Sequence, residues 1–331
     1  MKLRDVAVVL LGASLWVTGC SGDAAGGERD GIPDGPVAGT LVASGMGAVR
    51  TLDLSGDGGW QERFEIPVPY AVAAVHLPGR ELYVAELDAQ NPLFVNVYDL
   101  DGFGRNRSLV WPGTEDLWRV EGLAVAPDGR HLAAQLEGIG VATLQVLDMQ
   151  TETVVADLAV ETVEGALAWT EDLELVFATV GPDADVQEYA AIVAVPLGSL
   201  TEAGDELLMS VMQGFTQGEW GGVGVEEIVL SQDGSQLAYV LDGDIWVTGR
   251  EPDAAPRQLT TGPTGVTGPA FSPDGSQIVF AGKRWDNPFD TLVLPNDDNG
   301  PHHVDIHNPD DSPALVLDTE NLARRVLVWL P

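Results

Sequence analysis

Two side chains that most chains of this length use freely are nearly missing here. Cysteine occurs once, at Cys20. No intrachain disulfide can form, so an exported fold would depend on its own core. Lysine is almost as scarce, and beyond the first few residues only Lys283 carries an ammonium group. With 16 Lys and Arg against 51 Asp and Glu, the formal net charge is −35. A phosphate-tracking surface needs clustered Lys and Arg, which excludes nucleic acid as a partner. Anionic lipid surfaces repel such a domain, while cationic partners and divalent metals are attracted. After the first twenty residues no apolar run approaches the roughly 20 residues of a membrane-spanning helix. The sequence has no G-x-S-x-G elbow, no H-E-x-x-H and no P-loop. Carboxylate pairs are so frequent at this acidity that they carry no information about acid–base catalysis.

The N-terminus has the layout of a processing segment. Lys2 and Arg4 precede an apolar run from Val6 to Trp16, broken only by Gly12 and Ser14, and Val17-Thr18-Gly19-Cys20 follows. This order resembles the signal and lipobox of bacterial lipoproteins. The resemblance implies removal of residues 1–19 and lipidation of Cys20. Two or more acyl chains hold a protein stably on a membrane. In that family a residue other than Asp after the cysteine, here Ser21, favours the outer over the inner membrane of the cell envelope. Residues 20–36 then form the lipidated cysteine and a tether. The sequence SGDAAGGERDGIPDGP has no apolar periodicity and cannot bury enough surface to offset its ordering entropy. A flexible spacer is expected, with the folded domain at 37–331.

Within that domain the chain repeats itself. FSPDGSQIVF (Phe271–Phe280), LSQDGSQLAY (Leu230–Tyr239) and VAPDGRHLAA (Val125–Ala134) are close copies, and WTEDLELVF (Trp169–Phe177) and HLPGRELYV (His76–Val84) are degenerate ones. Each sets an apolar strand, a tight turn and a second apolar strand in series. Pro presets φ, Asp bonds the local backbone and Gly accepts positive φ, which is hairpin chemistry. The units resemble PD40 or TolB-type repeats, a WD40-like propeller family. The resemblance covers about two thirds of the mature chain and implies four-stranded blades around an axis.

The spacing predicts an all-β propeller of six blades, starting near Val37, Tyr70, Arg119, Val163, Val223 and Val266, with a seventh, incomplete blade as the competitor. The first blade shows three strands, at about Thr40–Ser44, Val49–Leu54 and Arg63–Val68. Strand-like sequence at Ala314–Asp318 and Arg325–Leu330 is surplus, so the end of the chain is expected to complete the first blade and close the ring. Gly198–Gly224 and Arg284–Pro313 break the spacing and read as long irregular insertions.

The densest group of ligating side chains is His302-His303-Val304-Asp305-Ile306-His307. On a strand, His303, Asp305 and His307 share one face and would hold a divalent metal, zinc or calcium, as the only cofactor the sequence points to. Asp297, Asp298, Asp310 and Asp311 stand nearby. The alternative is an edge strand whose polar side faces water. Asp99-Leu100-Asp101-Gly102 and Leu241-Asp242-Gly243-Asp244 are short acidic loops that fit either calcium or an ordinary turn. Trp246 alternates as in a strand and is expected to pack, whereas Trp60, Trp111, Trp118 and Trp220 are candidates for a loop face.

The reading favoured by these features is a lipid-anchored, non-catalytic scaffold of the cell envelope. It would take a protein or peptide partner on one propeller face and touch the membrane only through its anchor. A metal-dependent propeller hydrolase of the lactonase kind and a sugar-binding module using loop tryptophans remain as alternatives.

Overall fold

The computed structural model describes residues 8–11 and 38–331, except 46–47, 56–59, 68–71, 87–92, 103, 114–116, 139–140, 159–161, 181–189, 202–209, 216–224, 251–253, 262–264, 284–289, 298–300, 305–314 and 318–324. Six four-stranded antiparallel sheets form a ring, so the chain is a six-bladed β-propeller. From the axis outward, blade 1 is Arg325–Leu330, Gly39–Gly45, Ala48–Leu54 and Trp60–Pro67. Blade 2 is Val72–His76, Glu81–Glu86, Phe94–Asp99 and Arg105–Val110, and blade 3 is Leu117–Val125, His131–Gly138, Val141–Asp148 and Thr153–Leu158. Blade 4 is Thr162–Trp169, Glu174–Val180, Ala190–Pro196 and Ser210–Phe215. Blade 5 is Val225–Leu230, Gln236–Leu241, Asp244–Gly249 and Arg257–Gln258, and blade 6 is Gly265–Phe271, Gln277–Lys283, Asp290–Pro295 and Leu315–Leu317. We call the four strands of each blade A to D. A further strand, Val8–Leu11, lies in the segment read as the export signal and pairs with the A strands of blades 2 and 4.

The A–B turns explain the sequence repeat. In blade 3 the N–H of Gly129 donates to Ala126 O at 2.9 Å, and Gly129 has φ +64. Gly234 and Gly275 close the turns of blades 5 and 6 in the same way, with φ +64 and +74. The degenerate copies keep the conformation without glycine: Arg80 closes on Leu77 with φ +48, and Leu173 closes on Thr170 with φ +60. A side chain in that region costs about 1–2 kcal/mol, which packing and ion pairing must offset. In blade 6, Asp274 Oδ1 accepts from Ser272 Oγ, Ser276 N and Ser276 Oγ. The bond from Ser272, with those from Ser276, holds its carboxyl below the usual range. Each turn is thus saturated by its own residues.

Between blades, alternate side chains of one strand serve two different interfaces, as the two-residue strand period dictates. On strand B of blade 2, Leu82 and Val84 pack toward blade 1, while Tyr83 and Ala85 pack toward blade 3. On strand B of blade 4, Leu175 and Phe177 join the blade 3 side, and Val176 and Ala178 join blade 5. Both sheet faces are therefore buried, and these strands read as continuous apolar runs. Polar contacts add direction. Trp169 Nε1 donates to Ala124 O at 3.1 Å across the interface of blades 3 and 4. His76 Nε2 lies 3.2 Å from Pro127 O, with the ring wedged against the blade 3 turn.

Ring closure matches the expectation and refines it. Arg325–Leu330 pairs with Gly39–Gly45, with Thr40 opposite Leu330 and Ser44 opposite Arg325. The N- and C-terminal parts of the domain thus share blade 1, and the closing strand is its innermost. Trp329 is buried and its Nε1 donates to Ala38 O at 3.1 Å. The other surplus run is not extra: Leu315–Leu317 is the outer strand of blade 6, paired with Thr291–Val293. The two supposed insertions also contain regular structure. Leu197–Thr201 is a short helix and Ser210–Phe215 the outer strand of blade 4. Asp290–Pro295 lies inside the other.

Two outcomes follow for stability. A Cβ on Gly129 would meet His76 Cε1 at 2.8 Å, whereas a Cβ on Gly275 meets nothing within 4 Å. Gly275→Ala is expected to cost about 1 kcal/mol from φ alone and Gly129→Ala clearly more, measured by urea unfolding. At the closure, Trp329→Phe removes one hydrogen bond and is expected to cost about 1 kcal/mol. Trp329→Ala opens a cavity and is expected to cost about 3–5 kcal/mol. Equal unfolding midpoints for the two Trp329 variants would contradict the role given to the ring.

Candidate functional site

Strand polarity gives the disc two unlike faces. A strands run toward the face that carries the A–B and C–D connections, and B strands return to the face that carries the B–C and D–A connections. At the A–B ends of the inner strands lies a small apolar pocket. Leu77, Leu230, Phe271 and Val328 line it from four blades, and Gln232 Nε2 donates to Trp329 O at 3.3 Å beside it. On the other face the connections vary from two residues, between Gly138 and Val141, to nine, between Val180 and Ala190.

The A strands that line the channel bulge in their opposite halves. In blade 3, Gly122 faces Gln135 and Val120 faces Leu136, which leaves Glu121 as the extra residue. In blade 5 the extra residue is Glu227, and in blade 6 Gly268 and Pro269 together oppose Phe280. A bulge re-aims its side chains and increases local twist. Glu227, with φ +56, is only 4% exposed, and its carboxylate accepts from the N–H of Gly268, linking blade 5 to blade 6. Glu121 is 6% exposed and its Oε1 lies 2.6 Å from Arg119 Nε. Val120-Glu121-Gly122, Val225-Glu226-Glu227 and Val266-Thr267-Gly268 are a second repeat signal. It is fainter than the PDG turn because a bulge needs no fixed residue type.

The expected metal group is not assembled among the described residues. His302–His303 is a two-residue strand that pairs in parallel with Thr260–Thr261 and ties the blade 6 insertion to blade 5. Val304 is buried beside it, and His302 Nε2 lies 3.4 Å from Asp297 Oδ1. The side chain of His303, and Asp305 and His307 altogether, lie outside the described residues, as do Cys20 and the tether. No three His, Cys, Asp or Glu side chains converge as ion ligands among the described residues.

The two acidic loops are turns. Asp99 Oδ1 accepts from the N–H groups of Asp101 and Gly102, each at 2.7 Å, which holds its carboxyl below the usual range. Asp101 pairs with Arg80. Asp244 accepts from Thr260 Oγ1 and Gln258 Nε2. Of the loop-face tryptophans, Trp111 is fully buried and its Nε1 donates to Gln145 Oε1 at 2.8 Å. Trp60 packs against the cluster between blades 1 and 6. For these two the expectation of a ligand face is corrected, since the apolar interfaces between blades take their rings; the side chain of Trp118, and Trp220, lie outside the described residues. Trp246, expected to pack, does pack.

Charge is unevenly distributed. No Lys or Arg lies between Arg130 and Arg250. That stretch is most of blade 3, all of blade 4 and most of blade 5, so one contiguous sector of the ring carries a single sign. The bordering arginines reach into it. Arg130 Nη2 lies 2.6 Å from Asp148 Oδ2, Arg250 Nη2 lies 3.2 Å from Glu174 Oε2, and Arg119 Nη1 lies 3.9 Å from Glu137 Oε2.

The sequence matches no family model and no curated protein. By structure the chain is similar to TolB from Acinetobacter baumannii, with a TM-score of 0.57 and 13% identity over 89% of this chain and 67% of that one. The fold is TolB-like. Hsv2 of Kluyveromyces lactis has a TM-score of 0.48 and 9% identity over 79% of this chain and 72% of that one. The β-propeller domain of Cps50 (Swd1) from Myceliophteria thermophila has a TM-score of 0.48 and 13% identity over 82% of this chain and 87% of that one. At such identities the likeness to TolB is one of fold.

The Arg130–Asp148 pair has a pH signature. The hydrogen bond from Arg130, with the N–H groups of Gln150 and Thr151, holds the Asp148 carboxyl far below the usual range. A depressed carboxylate contributes its stability fully above its unfolded-state pKa, near 4, and loses it as pH falls toward the folded-state value. Asp148→Asn keeps the acceptor oxygen and removes the charge. It is expected to lower the melting temperature at pH 7, with the gap to the unchanged protein closing below about pH 4. A gap independent of pH would contradict this.

Proposed function

We propose that this chain is a lipid-anchored, non-catalytic propeller of the cell envelope that holds a basic segment of a protein or peptide partner. The observation that carries the partner's chemistry is the acidic sector of blades 3 to 5, where no Lys or Arg occurs between Arg130 and Arg250. A field of one sign raises the encounter rate with oppositely charged segments and rejects like-charged ones. The TolB-like ring supports a scaffold, since it supplies a rigid frame. The anchor rests on Val17-Thr18-Gly19-Cys20 after the apolar run. Processing before Cys20 would also remove the strand Val8–Leu11.

Both parts have an experiment. Cys20→Ala is expected to release the protein from membranes or stop its maturation, followed by fractionation and mass of the N-terminus. Unchanged membrane fractionation and processing would sink the anchor. For the partner, a six-arginine peptide titrated against the mature protein is expected to bind with an affinity that falls steeply between about 50 and 200 mM salt, since screening shortens the reach of exposed charges. Glu226→Gln with Asp242→Asn, both exposed on blade 5, is expected to weaken binding about tenfold or less, as surface charge changes do. Affinity unchanged by salt and by both substitutions would contradict an electrostatic partner site.

A further inference from the structure

The topology of blade 1 determines which way an anchored disc points. In blades 2 to 6 a tight turn joins strand A to strand B. In blade 1 that connection does not exist: strand A ends at Leu330 and strand B begins at Gly39, side by side on the A–B face. The root of the tether, Ala38, is pinned there by the bond from Trp329 Nε1 at 3.1 Å. The root lies next to the innermost strand of the blade, so a pull through it acts near the axis and not at the rim.

We infer that, once anchored through Cys20, the propeller stands with its A–B face toward the membrane and offers the opposite face, where the B–C and D–A connections gather, to partners in the aqueous compartment. This rests on the anchor proposed above. Taken as the unstructured spacer expected from the sequence, residues 21–36 would span about 22 Å coiled and about 55 Å at full stretch. Strands of six to eight residues separate the two faces by roughly 20–25 Å. The near face therefore stands about one tether length from the bilayer and the far face about twice that.

Charge holds this arrangement. Asp99, Asp101, Asp128, Asp233 and Asp274 all lie on the near face, and anionic lipid repels them within a Debye length of about 8 Å. The near face is thus kept off the surface at the distance the tether allows. Four of these carboxylates are already bonded to their own turns. On the far face Glu226 and Asp242 are exposed, whereas the two longest connections, residues 197–209 of blade 4 and 296–314 of blade 6, belong to the near face. Partners with Lys and Arg side chains therefore meet an open acidic face on the side away from the lipid.

The test uses the full lipidated protein in vesicles of zwitterionic and anionic lipid with an acceptor dye on the headgroups. Cys20 is the only native cysteine and its sulfur carries lipid, so an introduced thiol is a unique label site. Gln150→Cys marks the C–D turn of blade 3 on the near face, and Pro112→Cys marks the D–A connection after blade 2 on the far face. Both positions are exposed. Energy transfer to the lipid dye is expected to be about twofold higher or more from position 150, given the separation of the faces. Equal transfer from both, with the protein still floating with the vesicles, overturns the orientation and leaves the anchor standing. Failure to float overturns the anchor and the orientation with it. Reversed transfer shows the disc inverted and overturns the inference.

Discussion

Six sheets, each with two apolar faces and two open edges, are held in one ring by a single antiparallel pairing of residues almost 290 apart. Thr40–Ser44 against Arg325–Leu330 turns a linear series of hairpins into a closed object. Without that register, blade 1 would lose its innermost strand and both it and blade 6 would expose apolar faces, since Leu41, Leu52 and Trp329 pack with Ala270, Val279 and Val293. No disulfide shares this duty. The bond from Trp329 to Ala38 and that from Gln232 to Trp329 O place the closing strand along its length and against blade 5.

The remaining joints repeat one solution with variations. In blades 5 and 6 a turn saturated by its own Ser and Asp side chains ends the inner hairpin, and in blade 3 the neighbouring blade is built to meet the turn. His76 lies against Pro127 and Gly129, and Trp169 reaches the backbone of Ala124. The glycine at the closing position is therefore a packing requirement in blade 3 and only a backbone requirement in blade 6. Blades 2 and 4 have Arg80 and Leu173 there, because ion pairing to Asp101 and packing beside the blade 3 cluster offset the strained φ.

Function is carried by asymmetry laid over this regular frame. The ring is symmetric in fold, but its charge is not, and its two faces differ in the length of their connections. The A-strand bulges at Glu121 and Glu227 place carboxylates where the regular ladder would have placed apolar groups, and the bulge at Gly268–Pro269 turns the Gly268 N–H toward Glu227.

Much of the fold was legible in the sequence because its signals are local. Pro-Asp-Gly turns between apolar strands are chemistry of four or five residues, and their recurrence marked the blades at Tyr70, Arg119, Val163, Val223 and Val266 within a few residues. The three-stranded first blade and the run Arg325–Leu330 even announced the closure. What the sequence could not show depends on partners distant along the chain. Leu315–Leu317 is an outer strand of blade 6 only because Thr291–Val293 has a free edge there. His302 and His303 stitch blade 6 to blade 5 only because Thr260–Thr261 offers its backbone. Trp111 is core and not loop face because Gln145 of the next blade receives its N–H. Composition alone determined the acidity, the lack of disulfides and the exclusion of nucleic acid. Only the ring decided that the charge gathers in one sector and that the chain enters the propeller at Ala38 on the face of the turns, since both follow from where each blade's strands begin and end in space.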